Sequence, residues 1–129
     1  MQTQRAPVIL VGGLQAIIAF DAFTGQRLWQ QAITFPPRLW TSGDLVVASS
    51  AGTIYCFRLR TGELVWKREG LHGADTLLEA HGVVMVAHNN GVTALATTDG
   101  RVLWQDASFR GQKLALAMEA GPSAQADNT

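Results

Sequence analysis

Short apolar runs separated by turn residues dominate this chain, and they favour β-strands over helices. Residues 83–87 and 92–95 are apolar and rich in β-branched side chains, as in strands covered on both faces. The Asn89-Asn90-Gly91 segment between them has the composition of a tight hairpin turn. Glycine-bearing turns recur so often that no helical period continues for a dozen residues. The pattern predicts an all-β fold.

The same pattern occurs three times along the chain. Each copy ends in a glycine followed four residues later by a tryptophan, and Trp29, Trp66 and Trp104 are 37 and 38 residues apart. Two apolar runs upstream of each tryptophan align at the same spacings without a gap. Four short antiparallel strands in about 40 residues are typical of a propeller blade. We therefore predict a partial β-propeller of about three four-stranded antiparallel blades.

The repeat also predicts the domain organisation of what we interpret as one soluble domain. An N-terminal extension (1–7) precedes the propeller repeats (8–119), and a small, polar tail (120–129) is expected to be disordered. The predicted blades cover about residues 8–35, 36–73 and 74–112, and a closing strand covers 113–119. This organisation predicts twelve strands. Residues 112–119 also contain several good helix formers, so a helix is the alternative there.

Residues 19–29 resemble the tryptophan-docking motif of the PQQ-like (quinoprotein-type) β-propeller repeats. The motif positions in the three copies are Ala19, Asp21, Gly25 and Trp29; Cys56, Gly62 and Trp66; and Ala94, Gly100 and Trp104. The resemblance implies that each tryptophan packs between neighbouring blades, against the glycine turn and the small residue of the adjoining motif. Arg58 and Ala96 replace the motif's acidic residue, so their turns should lack one bracing acceptor. The resemblance is specific for the repeat type and not for an activity.

Few residues outside the repeat suggest chemistry. The repeat explains three tryptophans as packing residues rather than as stacking platforms, and Trp40, on a predicted inner strand, is expected in the core. His72, His81 and His88 are irregularly spaced near turns, unlike a metal site. The single cysteine, Cys56, is expected to be a small buried hydrophobe, and it cannot form the vicinal cysteine pair that quinoprotein dehydrogenases often have. We predict no catalytic, cofactor-binding or metal-binding residue, and no cofactor.

The charge balance excludes two classes of partner. Ten basic and ten acidic residues give a formal net charge of zero and a pI near 6.8. The basic surface needed for nucleic acid or an anionic membrane is therefore missing. No apolar run approaches the roughly 18 residues that span a bilayer. The first residues have no signal-peptide pattern, so the compartment is unknown, and cytoplasmic if the N-terminus is native.

Three blades are too few to close a ring, since propellers have about four to eight. One hypothesis is a homodimer with six blades, in which residues 114–118 of each copy complete the first blade of the other. The second hypothesis is a larger propeller of which this chain is a piece, or a split propeller completed by another chain. The resemblance implies a noncatalytic scaffold for protein–protein interaction, as in outer-membrane-assembly propellers. The alternative is a fragment or subunit of a PQQ-dependent quinoprotein dehydrogenase.

Overall fold

A computed structural model describes residues 6–34, 37–74 and 76–119, which contain eleven β-strands and no helix. The strands are β1 (Val8–Gly12), β2 (Ala16–Asp21), β3 (Arg27–Ala32), β4 (Arg38–Ser42), β5 (Leu45–Ser50), β6 (Thr53–Arg58), β7 (Leu64–Arg68), β8 (Thr76–Ala80), β9 (Val83–His88), β10 (Gly91–Ala96) and β11 (Val102–Asp106). They form three antiparallel meanders in the orders β1-β2-β3, β4-β5-β6-β7 and β8-β9-β10-β11. The predicted all-β architecture of antiparallel blades is confirmed.

The three sheets, called blades 1, 2 and 3 in chain order, repeat one another in detail. In each blade the last ladder shifts register directly after the small residue of the motif. The pairs that face each other across this ladder are Ala19 and Trp29, Cys56 and Trp66, and Ala94 and Trp104. A bulge at the same place increases the local twist of each blade and turns the outer strand in the same way.

The turn before each outer strand requires glycine. Gly25, Gly62 and Gly100 have φ angles of +74°, +76° and +74°, a region that residues with a Cβ rarely adopt. Each glycine N–H donates to the backbone oxygen four residues earlier, at 2.8–2.9 Å. Arg58 and Ala96 occupy the position of Asp21, yet their turns keep these same backbone bonds. The acidic residue is therefore an additional brace and not a requirement of the turn.

Apolar side chains from neighbouring blades form two joints. The first joint, between blades 1 and 2, is built around Ile17, Ile33, Ala48 and Phe57, with Leu10, Trp29, Leu39 and Tyr55 packed against them. The second joint, between blades 2 and 3, contains Val47, Ile54, Cys56, Trp66, Leu71, Leu77, Val84, Val86 and Leu95. At one edge of the second joint the first strands of the two blades, β4 and β8, lie against each other.

The segment after β11 differs from its prediction. Residues 113–119 join no ladder in the described structure and are neither strand nor helix, so eleven strands are described instead of twelve. The Thr76 hydroxyl donates to the Leu114 carbonyl at 3.0 Å, and the His81 ring lies 2.7 Å from the Glu119 carbonyl. These side-chain contacts hold the segment beside β8, but a strand needs a backbone partner. The tail (120–129) and residues 1–5 lie outside the described residues, and the domain boundaries stay predictions.

Candidate interaction surfaces

The second joint is organised around Trp66. Its side chain is 8% exposed, and its ring covers Gly100 so closely that a Cβ on that glycine would lie 2.5 Å from the ring. The indole N–H donates to the Thr97 carbonyl at 2.7 Å. Two residues beyond the tryptophan, the Arg68 Nε–H donates to the Gly100 carbonyl at 3.0 Å. One aromatic ring and two donors therefore attach blade 2 to the turn of blade 3.

The first joint repeats this arrangement with other residues. A Cβ on Gly62 would lie 2.5 Å from the ring of Trp29. The Trp29 indole donates to the Leu59 carbonyl at 2.8 Å, and the Gln31 amide donates to the Gly62 carbonyl at 2.6 Å. Gln31 and Arg68 were not among the predicted motif residues, although both are long donors placed two residues after a tryptophan.

Buried polar groups are satisfied at the second joint. The Thr97 carbonyl that accepts from Trp66 also lies 3.9 Å from the Cys56 sulfur, and the Thr97 hydroxyl donates to the Glu79 carboxylate at 3.0 Å. Cys56 is fully buried, and burial raises the pKa of its thiol to about 11. The thiol is therefore protonated near neutral pH and is a packing group rather than a nucleophile.

The small residues of the motif lie beside the tryptophans of their own blades. Cys56 lies across the β6–β7 ladder from the tryptophan of its own blade, and Ala19 and Ala94 have the same relation to theirs. The adjoining blade contributes the glycine turn and a carbonyl. Small residues at these positions therefore leave room beside the ring on its own sheet.

Blade 3 presents the third tryptophan on an open face. Trp104 is 51% exposed, and no described glycine turn covers it. Together with Met85, Val92, Phe109 and Leu116 it lines a shallow cleft of about 270 Å³. We call this the Trp104 face. This face has the tryptophan side of a joint, and no described glycine turn lies opposite it.

Blade 1 presents the opposite half. Gly25 has the φ angle of the other two motif glycines, but no atom of the described residues lies within 4 Å of the position that its Cβ would occupy. On the same blade Ile9 is 50% exposed and Val11 is 51% exposed. At the repeat spacing these residues correspond to Val46 and Ala48 of blade 2, which are fully buried. We call this surface the Gly25 face.

The histidines do not converge on one site. A Cβ on Gly52 would lie 2.6 Å from the His72 ring, whereas the His81 ring lies 2.7 Å from the Glu119 carbonyl in the C-terminal segment. His88 is buried, and its ring lies 2.7 Å from the Thr93 hydroxyl. Burial lowers the pKa of His88 below 6.5 and favours its neutral form. Trp40, which is half-buried, packs against the second joint.

The described residues do not fit a quinone and its calcium ion. Among them, no three His, Cys, Asp or Glu side chains lie close enough together to hold a metal ion. The single cysteine is buried in a joint, which leaves no cysteine pair to place beside a quinone ring. In the part of the chain that is described, no helix has the length and apolar character required to cross a membrane.

The repeats are similar in sequence to a known protein family and to one of its curated members. The sequence pattern of the family described as "Outer membrane protein assembly factor BamB" matches residues 15–128. The outer membrane protein assembly factor BamB of Salmonella typhimurium is 32% identical to this chain over 94 residues, 62% of this chain and 24% of that protein. The chain therefore spans about a quarter of this curated relative.

Solved structures agree on the fold. The crystal structure of BamB from Moraxella catarrhalis has a TM-score of 0.62 at 26% identity, covering 77% of this chain and 33% of that one. A europium-containing methanol dehydrogenase has a TM-score of 0.60 at 14% identity, covering 79% of this chain and 23% of that one. The second likeness concerns the fold alone. The predicted PQQ-like repeats are confirmed.

Proposed function

We propose that this chain, which belongs to the family of outer membrane protein assembly factor BamB, is a noncatalytic β-propeller scaffold for protein–protein interaction. One observation supports the proposal most strongly: both outer faces of the three-blade unit are apolar at positions that the internal joints bury. Ile9, Val11 and Trp104 are each about half exposed there. Exposed apolar patches of this kind are typical of interaction sites.

The names of the relatives support a binding role. One similar protein, which is 32% identical to this chain over 94 residues, is called an outer membrane protein assembly factor. The methanol dehydrogenase is similar in fold only and supports no activity. A scaffold needs rigid blades with satisfied buried groups, and no buried side-chain nitrogen or oxygen lacks a hydrogen-bond partner among the described residues.

The proposal includes completion of the propeller by protein, either a second copy of this chain or another chain. Blade 1 has three strands in the described structure, and the edge of β1 that faces away from β2 has no ladder partner there. Residues 113–119 lie beside β8 without a ladder of their own. A free edge and a segment without a ladder partner can join by strand addition.

The native mass tests self-association. Light scattering at micromolar concentration should give a mass above the 13.9 kDa of one chain. A mass of 13.9 kDa throughout would contradict self-association and leave only a different chain as the completing partner.

Cofactor retention tests the noncatalytic part of the proposal. The chain is mixed with pyrroloquinoline quinone and calcium and passed through a gel-filtration column. We expect no quinone absorbance in the protein fraction. Stoichiometric retention would instead support the alternative, a fragment or subunit of a PQQ-dependent quinoprotein dehydrogenase. A Met85→Ala variant serves as a control for nonspecific binding of the planar quinone in the apolar cleft of the Trp104 face.

A further inference from the structure

We propose that the Trp104 face of one copy docks on the Gly25 face of a second copy and forms a third joint of the same kind. In this joint the Trp104 ring covers Gly25, and its indole N–H donates to the Ala22 carbonyl of the second copy. This inference rests on the proposed scaffold function, with a second copy of the chain as the scaffold's partner.

The two internal joints provide the template. In both of them the tryptophan ring lies over a glycine at positive φ, and a Cβ on that glycine would lie 2.5 Å from the nearest ring atom. The indole N–H donates to the carbonyl of the residue three positions before that glycine. The residues that surround the ring differ between the two joints, whereas this geometry does not. The ring, the glycine and the carbonyl are therefore sufficient to define a joint.

The Gly25 turn has the form of the two occupied turns. Its glycine has a φ of +74° and its N–H donates to the Asp21 carbonyl at 2.9 Å, as in the equivalent turns of blades 2 and 3. Ala22 stands at the repeat position of Leu59 and Thr97, the two residues whose carbonyls accept from indoles. Within the described part of one copy, the space above Gly25 is open. The Gly25 turn therefore has the backbone geometry needed to accept a tryptophan ring from a second copy.

The apolar residues around the two half-joints also correspond. Met85 and Val92 of the Trp104 face stand at the repeat positions of Val47 and Ile54, which the second joint buries completely. The Gly25 face offers Ile9 and Val11, the counterparts of Val84 and Val86, which lie on the other side of that joint. Docking would remove both apolar surfaces from water, which is the main favourable term in association.

The C-terminal segment is placed to take part. Thr76 contacts Leu114 and His81 contacts Glu119, and each pair is 38 residues apart, which is the repeat length. Residues 113–119 therefore lie where the first strand of a following blade belongs. A blade 1 docked on the Trp104 face would bring the free edge of β1 next to this segment, so the segment would become its missing first strand.

One residue makes the new joint weaker than its templates. Gln31 and Arg68 donate to the glycine carbonyl of the next blade, but Asp106 stands at the equivalent position and has no proton to donate. Its carboxylate accepts from the Ser108 N–H at 2.7 Å instead. A joint that lacks this donor suits reversible association between copies.

Two variants separate the halves of the joint. Trp104→Ala removes the ring, and Gly25→Asn keeps a residue that tolerates positive φ while placing a side chain where the ring would lie. Each variant alone should weaken self-association at least about 30-fold, as expected for an aromatic hot spot. Matched controls are Leu14→Ala, an apolar residue that is 70% exposed, and Gly43→Asn, a glycine at φ +56° with nothing within 4 Å. Both controls should associate like the unmodified chain.

Mixing the two variants is the decisive experiment. Trp104→Ala keeps an intact Gly25 face and Gly25→Asn keeps an intact Trp104 face, so the mixture can form one joint. Light scattering should give single-chain mass for each variant alone and twice that mass for the mixture. A misfolded variant could not regain association in this way. Dimers of either variant alone, or a mixture that stays monomeric, would overturn the inference.

These outcomes are distinguishable from failure of the scaffold proposal. Retention of the dimer by both variants would reject this joint while leaving self-association in place. An unmodified chain that stays at 13.9 kDa would reject a second copy as the partner. Quinone retention would instead reject the noncatalytic function, whatever the mass.

Discussion

The closed second joint and the open Trp104 face contain the same motif in two environments. Trp66 is 8% exposed and donates its indole N–H to a carbonyl of the next blade, whereas Trp104, at the same position of the next repeat, is 51% exposed. Their own blades differ little, since each ring lies across from a small residue beside the same bulge. The difference shows that the stabilising effect of this motif depends on the neighbouring blade.

The closed joint and the open face also differ at the residue two positions after the tryptophan. At the closed joint Arg68 reaches the Gly100 carbonyl, and at the open face Asp106 accepts from its own turn. Hydrogen bonding by Ser108 lowers the pKa of Asp106, so the carboxylate is ionised near neutral pH. The open face is therefore not a copy of the closed joint with a blade removed. It differs at the position that contacts the next turn.

The largest expected effect comes from removing one tryptophan at a time. Trp66→Ala should lower the free energy of unfolding by about 3–5 kcal/mol, because it leaves a cavity in a buried cluster and an unpaired Thr97 carbonyl. Trp104→Ala should cost less than about 1 kcal/mol in a single copy. Urea unfolding followed by circular dichroism, in a Gly25→Asn background that prevents docking, measures both. Equal losses would contradict the comparison.

The glycine turns should show the next largest difference. Gly100→Ala should destabilise the fold by about 2–3 kcal/mol or more, because the new methyl group both strains the turn and overlaps the Trp66 ring. Gly25→Ala, measured like Gly100→Ala in a Trp104→Ala background that prevents docking, has only the backbone strain and should cost about 1 kcal/mol. The difference in urea midpoint between the two variants isolates the ring contact. If Gly25→Ala were as damaging as Gly100→Ala, backbone strain alone would explain both losses.

Restoring the missing donor should strengthen the open half-joint. Asp106→Gln places the side chain of the first joint at the Trp104 face, where it can donate to the Gly25 carbonyl of a second copy. We expect self-association about threefold to tenfold tighter, the effect of one hydrogen bond. Sedimentation equilibrium measures the change, and Asp99→Gln, an exposed acidic residue of the same blade, is the control. Weaker association of Asp106→Gln would argue against this geometry.

The smallest expected effect is a pH dependence at the closed joint. His88 lines a cavity together with Arg68, Glu69 and Asp106, and burial holds its pKa below 6.5. The unfolded chain therefore binds the proton first, so stability is full above about pH 6.5, declines as the pH falls, and levels off below the folded pKa.

A His88 variant assigns this slope. Unfolding free energies between pH 5 and pH 8 should lose the slope in His88→Gln. A slope that persists without His88 would place the titrating group elsewhere. The lowered pKa values of Asp21 and Asp99 affect only a more acidic range, below about pH 4, and do not overlap with this measurement.

Repetition made most of the fold predictable. Three aligned copies of the glycine-tryptophan ending predicted antiparallel blades, and the bulges and positive-φ glycines recur at the same positions in all three. The strand predicted at residues 113–119 is absent from the described structure, because a ladder requires a second backbone and local residues do not specify one. The donors Gln31 and Arg68 were missed because their common role depends on which turn lies opposite.

By itself, the sequence determined the repeat, the turn chemistry and the place of each tryptophan on an outer strand. These features depend on local backbone preference and on apolar pattern, which are encoded within about 40 residues. Only the tertiary structure decided which tryptophans are covered, since burial depends on the neighbouring blade. It also decided that Gly25 and Trp104 face outward as two unmatched halves of the same joint.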